Sequence, residues 1–369
     1  MKQLNRKIKI LYVLPSITQN NGVAAFVFNY IQHLNMDLFE IDIVASNLRP
    51  SQAHISFCEN KGIRLFLVKN LKEHSLLELR KDIRNFMREH HDYDILHCNV
   101  TTQGIFYLKY AKKYKIPVRI IHSHATKGAE STLKNIRNRL IANLVLRKSN
   151  VYFACSDLAG KYLFHKKKYT VINNAISMEA FQKNLELKHQ LVKEYHLEDK
   201  FILGFVGRLT DQKNVFFLLD ILKEVKKINS DAVLVVAGTG VLEARMKEYT
   251  EEANLLDSVL YLGEITDSYR IYNLFDCFVL PSKYEGLPVV GIEAQVNELP
   301  CFFSDKITIE VKILDTTRFL SIDSPQVWSE AITSFDFSQK PSKLASYENY
   351  NILEESKRLE SLYLSLLTK

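Results

Sequence analysis

Apolar residues along the chain fall into short continuous runs separated by longer segments in which they recur every three or four positions. Runs at 7–14, 39–45, 63–67, 95–97, 118–122, 151–154 and 170–172 read as strands, with helical patterns at 24–34, 75–90 and 131–147 among them. A second series has strands at 201–206, 232–237, 259–262, 277–280 and 301–304, and helical patterns at 215–227, 241–253 and 289–296. Apolar strands without alternation are buried on both faces, and strands that alternate with helices form parallel sheets. The pattern runs twice, with a polar, poorly periodic stretch at 177–200 between the runs. It predicts an α/β protein of two doubly wound domains, residues 1–185 and 186–348. An amphipathic helix at 349–369 is expected to pack across the domains. Ligands of such sheets bind beyond the carboxyl ends of the strands, and in a two-domain arrangement those ends can face one cleft.

A length of 369 residues suits two domains, and 47% hydrophobic residues give each a normal core. The five cysteines (Cys58, Cys98, Cys155, Cys277, Cys301) include no CxxC pair, which excludes a disulfide framework and points to reduced, buried thiols. No stretch approaches the ~18 apolar residues of a membrane span. The first apolar run ends at Pro15 without a small-residue cleavage site, so it reads as a strand and not as a signal peptide. A cytoplasmic protein is expected.

Charge is divided unevenly. Residues 1–190 carry 30 Lys+Arg against 14 Asp+Glu, a net +16; residues 191–369 carry 19 against 28, a net −9. A basic half suits an anionic membrane or a phosphorylated substrate. No zinc finger, helix-turn-helix or RNP pattern supports nucleic acid.

The richest motif is VLPSKYEGLPVVGIEAQ, residues 279–295. A strand ends at Leu280, a loop follows, and Pro288 suits the first position of the next helix. Gly286 allows a ligand close to the backbone. The free N–H groups of Gly286, Leu287, Val289 and their neighbours form an anion site at the helix N-terminus. Glu285 precedes that site, and Glu293 lies inside the helix. Two carboxylates around an anion site suit a diphosphate between two sugars, because carboxylates accept hydrogen bonds from sugar hydroxyls. A second motif, FVGRLTDQKN at 205–214, ends a strand in Gly207-Arg208 and puts Lys213 before a helix. Arg208 and Lys213 can neutralise a diphosphate leaving group.

These two segments, in this order, resemble the family 4 retaining glycosyltransferases of GT-B fold, with two Rossmann-like domains facing a central cleft. The resemblance covers essentially the whole chain and extends to bacterial capsular and exopolysaccharide enzymes. It implies that Glu285 contacts the donor sugar near the reacting centre and that Glu293 holds the nucleotide ribose. It further implies that Arg208 and Lys213 bind the diphosphate and that Gly207, Gly286, Leu287, Pro288 and Val289 complete the phosphate cradle. Retention of configuration without a metal or other cofactor follows from the same likeness. The family usually shows two glycines after the first strand. Here Asn21-Gly22 stands instead, and Gly22 still lets the backbone approach the donor phosphate or the acceptor.

In RIIHSHATK, residues 119–127, two histidines follow a strand. A family histidine at this strand end lies near the transferred sugar; His124 is the choice and His122 the alternative. No nearby Cys or carboxylate completes a metal clamp. Asp92-Tyr-Asp94 matches a metal motif of another glycosyltransferase fold but reads here as a turn before a strand. Gly238-Thr239-Gly240 lacks the third glycine of a dinucleotide fingerprint, since Glu243 holds its place. The basic segment 131–150, followed by Lys166-Lys167-Lys168, suits an ordinary core-facing helix or docking on the inner face of an anionic membrane.

The function expected is transfer of a hexosyl or N-acetylhexosaminyl group from a nucleotide sugar, a UDP-sugar first, to a saccharide or lipid-linked acceptor in surface polysaccharide synthesis. The alternatives are a nucleotide-sugar 2-epimerase of the same fold and a non-catalytic partner subunit.

Overall fold

A computed structural model describes residues 6–18, 21–46, 50–69, 75–124, 141–265 and 267–368. The chain divides into two compact units. The first is Met1–Ala175 together with Ile352–Lys369, and the second is Ile176–Asn351. The division falls before the boundary expected at residue 185.

In the first unit the strands are β1 (Ile8–Val13), β2 (Phe39–Ser46), β3 (Arg64–Val68), β4 (Ile95–Cys98), β5 (Val118–Ser123), β6 (Val151–Ala154) and β7 (Thr170–Val171). They form one sheet in the order β3-β2-β1-β4-β5-β6-β7, with every neighbouring pair parallel. Side chains of β1 alternate between its faces. Ile8, Ile10 and Tyr12 enter one core cluster, and Leu11 and Val13 enter another. The first cluster is covered by α1 (Gly22–His33) and α2 (Gln52–Asn60). The second is covered by α3 (Leu76–Glu89), α4 (Gly104–Lys113) and α5 (Asp157–Phe164). The strand order reverses between β1 and β4, which opens a crevice at their carboxyl ends.

The second unit repeats the plan. Its strands are β8 (Phe201–Val206), β9 (Ala232–Ala237), β10 (Val259–Gly263), β11 (Cys277–Leu280), β12 (Cys301–Ser304) and β13 (Arg318–Leu320). They form a parallel sheet in the order β10-β9-β8-β11-β12-β13. All six residues of β9, AVLVVA, are buried, as a strand covered on both faces requires. The helices are α6 (Leu185–Glu194), α7 (Val215–Lys226), α8 (Glu243–Glu252), α9 (Ser268–Ile271), α10 (Val289–Val296) and α11 (Pro325–Thr333). The strand order reverses between β8 and β11.

The last helix, α12 (Ile352–Leu367), packs on the first unit beside α1. Its buried Ile352, Leu359 and Tyr363 join the cluster on that face of the sheet. Each such side chain stabilises by about 1.5–3 kcal/mol through burial. Arg358 fastens the helix further by donating to the Val171 carbonyl at 2.6 Å, its guanidinium held by Glu355 of the same helix at 2.7 Å.

Two elements depart from the sequence pattern. The stretch read as irregular, 177–200, contains α6, capped by Asn184, whose side chain accepts from Leu187 N at 2.9 Å. The three residues of β13, one of them Arg318, are too few for periodicity to reveal. Of the expected basic helix, residues 131–140 lie outside the described residues; 141–146 are helical.

Candidate functional site

The second unit gathers the acidic and basic residues of both motifs at the carboxyl ends of β8 and β11. After β8 the chain makes a short turn, Asp211–Lys213, which ends in left-handed Asn214 (φ 57°) and leads into α7. After β11 it runs through Lys283 to Glu285 and on to α10. Three contacts stitch the two loops together. Lys283 N donates to the Gln212 carbonyl at 2.8 Å, Gln212 Nε2 donates to the Tyr284 carbonyl at 2.9 Å, and Lys283 Nζ meets Asp211 at 2.6 Å.

Lys213 and Glu285 sit inside this stitching. Their side chains are each 11% exposed, and Nζ lies 2.7 Å from Oε1. Gln212 Nε2 approaches the other carboxylate oxygen at 3.3 Å. The pair joins two residues expected to act on different parts of one ligand. It keeps each charge partnered until a ligand arrives, and an arriving anion can share the ammonium. Arg208 is exposed and has no ion pair among the described residues, so its guanidinium is available.

The loop bearing Arg208 rests on Gly238 and Gly240. A Cβ on Gly238, whose φ is +136°, would lie 2.0 Å from the Gly207 carbonyl oxygen, and one on Gly240 would lie 2.2 Å from the Leu209 carbonyl oxygen. Only glycine fits either position. The ladder continues through this contact, with Gly207 N donating to Ala237 O and Leu209 N to Thr239 O, both at 2.9 Å. The Gly-Thr-Gly segment therefore serves close packing beneath the Arg208 loop.

No side chain caps the N-terminus of α10. The sequence puts Pro288 at the first helical position; the structure makes it the residue before, with extended backbone (φ −74°, ψ 105°) and Val289 first in the helix. Gly291 N donates to the Pro288 carbonyl at 2.9 Å; the remaining N–H groups at this end are of the kind that bind anions. Gln295, fully buried, locks the helix in place. Its Nε2 donates to Gly291 O and Val311 O, and its Oε1 accepts from Ile313 N, Leu314 N and Thr317 Oγ1. Glu293, on the same helix, accepts from the Tyr272 hydroxyl at 2.6 Å. Burial pushes its carboxyl up to about 7, against the opposing effects of the Tyr272 hydrogen bond and the Lys213 charge.

The first unit holds a cavity of about 510 Å³ beyond the carboxyl ends of β1, β4 and β5, bordered by Pro15, Val23, Asn99, Gln103, His122 and His124 among others. Both candidate histidines border it. His122 belongs to β5 and is 1% exposed; its Nδ1 lies 3.1 Å from His97 Nε2. His124 follows the strand, stacks on His122 with centroids 4.2 Å apart, and meets Asn99 Oδ1 at 2.9 Å. Burial lowers His124 to about 3 and His122 well below its ordinary value, so both are neutral. Nearby, Asn21 caps α1 by accepting from Val23 N and Ala24 N. A Cβ on Gly22 would meet nothing within 4 Å, so the space before this helix end is open.

The other candidates resolve into structural roles. Asp94 accepts both ends of the Arg6 guanidinium at 2.7 Å, and Asp92 pairs with Lys9 at 2.6 Å, which ties the turn to β1. All five cysteines are buried and free. Among the described residues, no group of three His, Cys, Asp or Glu is placed to hold a metal ion, and no helix is long and apolar enough to cross a membrane.

Known proteins give this geometry its context. Residues 188–349 match the model of Glycosyl transferases group 1, and residues 20–180 match that of Glycosyltransferase Family 4. The chain is 30% identical over 347 residues to the "Putative glycosyltransferase EpsF" of Bacillus subtilis (strain 168), spanning 91% of this chain and 89% of that protein. It is 26% identical over 326 residues to the UDP-Gal:alpha-D-GlcNAc-diphosphoundecaprenol alpha-1,3-galactosyltransferase of Escherichia coli, with 83% of this chain and 81% of that protein covered. In fold it is similar to Anabaena Alr3699/HepE, solved in complex with UDP and glucose, with a TM-score of 0.75 over 98% of this chain and 97% of that one at 14% identity. Two parallel Rossmann-like sheets with these matches make the chain a member of the glycosyl transferases group 1, the family 4 glycosyltransferases of GT-B fold.

Proposed function

We propose that this glycosyltransferase moves a sugar, with retention of configuration, from a UDP-sugar to a lipid-linked saccharide during assembly of a bacterial surface polysaccharide. The observation that carries the reading is the cluster at the carboxyl ends of β8 and β11. It combines an exposed Arg208, the Lys213–Glu285 pair, an uncapped helix end and a half-buried Glu293. Relatives that use UDP-Gal and diphosphoundecaprenol-linked acceptors support the donor and acceptor classes, as does the UDP bound by a protein of the same fold.

In this reading Glu293 accepts the ribose hydroxyls, and the backbone N–H groups of Gly286 to Val289 cradle the diphosphate with Gly207 behind them. Arg208 and Lys213 take up the negative charge that develops on the leaving UDP, a role worth most in a site sheltered from water. Glu285, holding Lys213, faces the sugar. No metal is required, because these cations do the neutralising. The first unit supplies the acceptor side through its cavity histidines and the open approach at Gly22. Its +16 half draws the protein to the anionic inner face of the cell membrane. The relatives described above are transferases, which lends no support to the epimerase or the partner-subunit reading.

Calorimetric titration with a panel of nucleotide sugars tests the donor assignment. One UDP-sugar should bind, and Glu293→Ala should weaken it; unchanged affinity for every nucleotide sugar in that variant would overturn the assignment. Flotation with phosphatidylserine vesicles should weaken steeply with added salt, and absent or salt-insensitive binding would refute the membrane role.

A further inference from the structure

A buried hydrogen-bonded chain crosses the first unit from its core to its cavity. The Tyr12 and Tyr363 hydroxyls lie 2.6 Å apart, the Tyr363 hydroxyl lies 2.7 Å from His97 Nδ1, and His97 Nε2 lies 3.1 Å from His122 Nδ1. All four side chains are at most 1% exposed. Among the described residues the Tyr12 hydroxyl has no further partner, and His122 Nε2 has none at all.

Protons can be arranged along this chain in two consistent directions. If His122 carries its proton on Nδ1, every donation runs toward the core, and the Tyr12 O–H ends with no acceptor in a sealed apolar cluster. If the donations run the other way, Tyr12 donates to Tyr363, Tyr363 to His97 Nδ1, and His97 Nε2–H to His122 Nδ1. The unmet proton then sits on His122 Nε2, a buried atom of a ring that borders the cavity, on the side of the chain from which a ligand oxygen can approach. An unmet buried donor is destabilising because it has given up its hydrogen bond to water. Only the second direction puts that donor where it can be satisfied.

His124 completes the pattern. Asn99 Nδ2 donates to the His97 carbonyl at 3.3 Å, which turns Asn99 Oδ1 toward His124 Nε2. His124 therefore donates from Nε2 and keeps Nδ1 as an acceptor. One cavity is thus bordered by a neutral donor ring and a neutral acceptor ring. A hydroxyl can answer both, whereas a carboxylate or a fully ionised phosphate cannot donate.

We infer that Tyr363 of α12 acts through His97 as a positioning residue that fixes His122 as an Nε2–H donor to a hydroxyl oxygen of the saccharide. The hydroxyl as ligand rests on the transferase reading above; the tautomer does not. The closing helix of the chain thereby sets the polarity of a strand-end histidine that lies far from it in sequence.

Ring-¹⁵N-histidine NMR of the full-length protein reads the tautomer directly, with the His122 signals assigned by their loss in His122→Gln. The wild-type protein should show protonated Nε2 and unprotonated Nδ1 at His122 and the same at His97. Tyr363→Phe should lift this preference and give mixed tautomers. Tyr12→Phe removes a hydroxyl from the same cluster but leaves Tyr363 able to donate, so it should keep the wild-type pattern. In transfer assays Tyr363→Phe should raise the KM of the saccharide about two- to tenfold, the effect of one misdirected neutral hydrogen bond. A proton on His122 Nδ1 in the wild-type protein overturns the inference whether or not any variant folds, as does Tyr363→Phe with unaltered tautomers. If the tautomers are as expected but no UDP-sugar is turned over, the transferase reading fails and the relay stands.

Discussion

Replacing Glu293 by Gln should make the protein more stable and less able to bind its nucleotide. The carboxyl is raised from an ordinary 4.5 to about 7, chiefly by burial. A carboxyl whose folded value lies above its unfolded value takes up a proton on folding between those two values. Stability therefore falls as pH rises from about 4.5 and reaches its full penalty above about 7. At 1.36 kcal/mol per pH unit the ionised form costs on the order of 3 kcal/mol. Glutamine carries no charge, and its Oε1 can still accept from the Tyr272 hydroxyl that now donates to Glu293. Urea denaturation should show Glu293→Gln stabilising the second unit by up to ~3 kcal/mol at about pH 8, with the gain vanishing toward about pH 4.5. Calorimetry should show the opposite trend for function. If Glu293 accepts both ribose hydroxyls as proposed, UDP should bind the parent more tightly as pH rises through about 7 and should bind Glu293→Gln weakly with a flat pH profile. Equal unfolding midpoints at mildly alkaline pH together with unchanged UDP affinity would mean that the Glu293 carboxylate neither destabilises the fold nor holds the nucleotide.

Three further variants probe the supports of the site. In Gly238→Ala the new methyl group would sit 2.0 Å from the Gly207 carbonyl oxygen, so the Arg208 loop must move; a loss of about 2–4 kcal/mol by thermal melting, with weaker UDP binding, is expected. Lys213→Met strands the mostly buried Glu285 and should cost roughly 3 kcal/mol, much of it regained in Lys213→Met/Glu285→Gln; equal losses in single and double variants would mean the 2.7 Å pair is not coupled. Gly22→Ala meets open space, so melting should hold or rise slightly while transfer falls; full activity would remove Gly22 from the site.

The sheets are legible in the sequence because their strands are buried on both faces. AVLVVA and CFVL need no tertiary context to be recognised. Glu285, Glu293, Arg208 and Lys213 are legible because strand ends and helix starts mark them. Their partners are not. Tyr272 reaches Glu293 from 21 residues away, Glu285 meets Lys213 from the loop after the neighbouring strand, and Tyr363 reaches His97 from 266 residues away. No periodicity connects such residues; only the parallel order of the strands brings them together. Gly238-Thr239-Gly240 illustrates a different limit. As a dinucleotide fingerprint it is incomplete, yet two glycines after a fully buried strand already signal a close backbone approach, and the Gly207 and Leu209 carbonyls are what approaches. Helix α6 could have been read from Asn184 followed by Leu187 and Leu191, a cap and an apolar spacing hidden in a polar composition.

Transfer with retention from a nucleotide sugar leaves its record in the product. Incubation with an α-linked UDP-sugar and bacterial membrane lipid, followed by proton NMR of the isolated saccharide, reads the configuration of the new bond. The predicted product is α-linked, formed in step with UDP release and abolished by replacing Arg208 and Lys213 together. A β-linked product would contradict the claim, as would an epimerised sugar released without any acceptor.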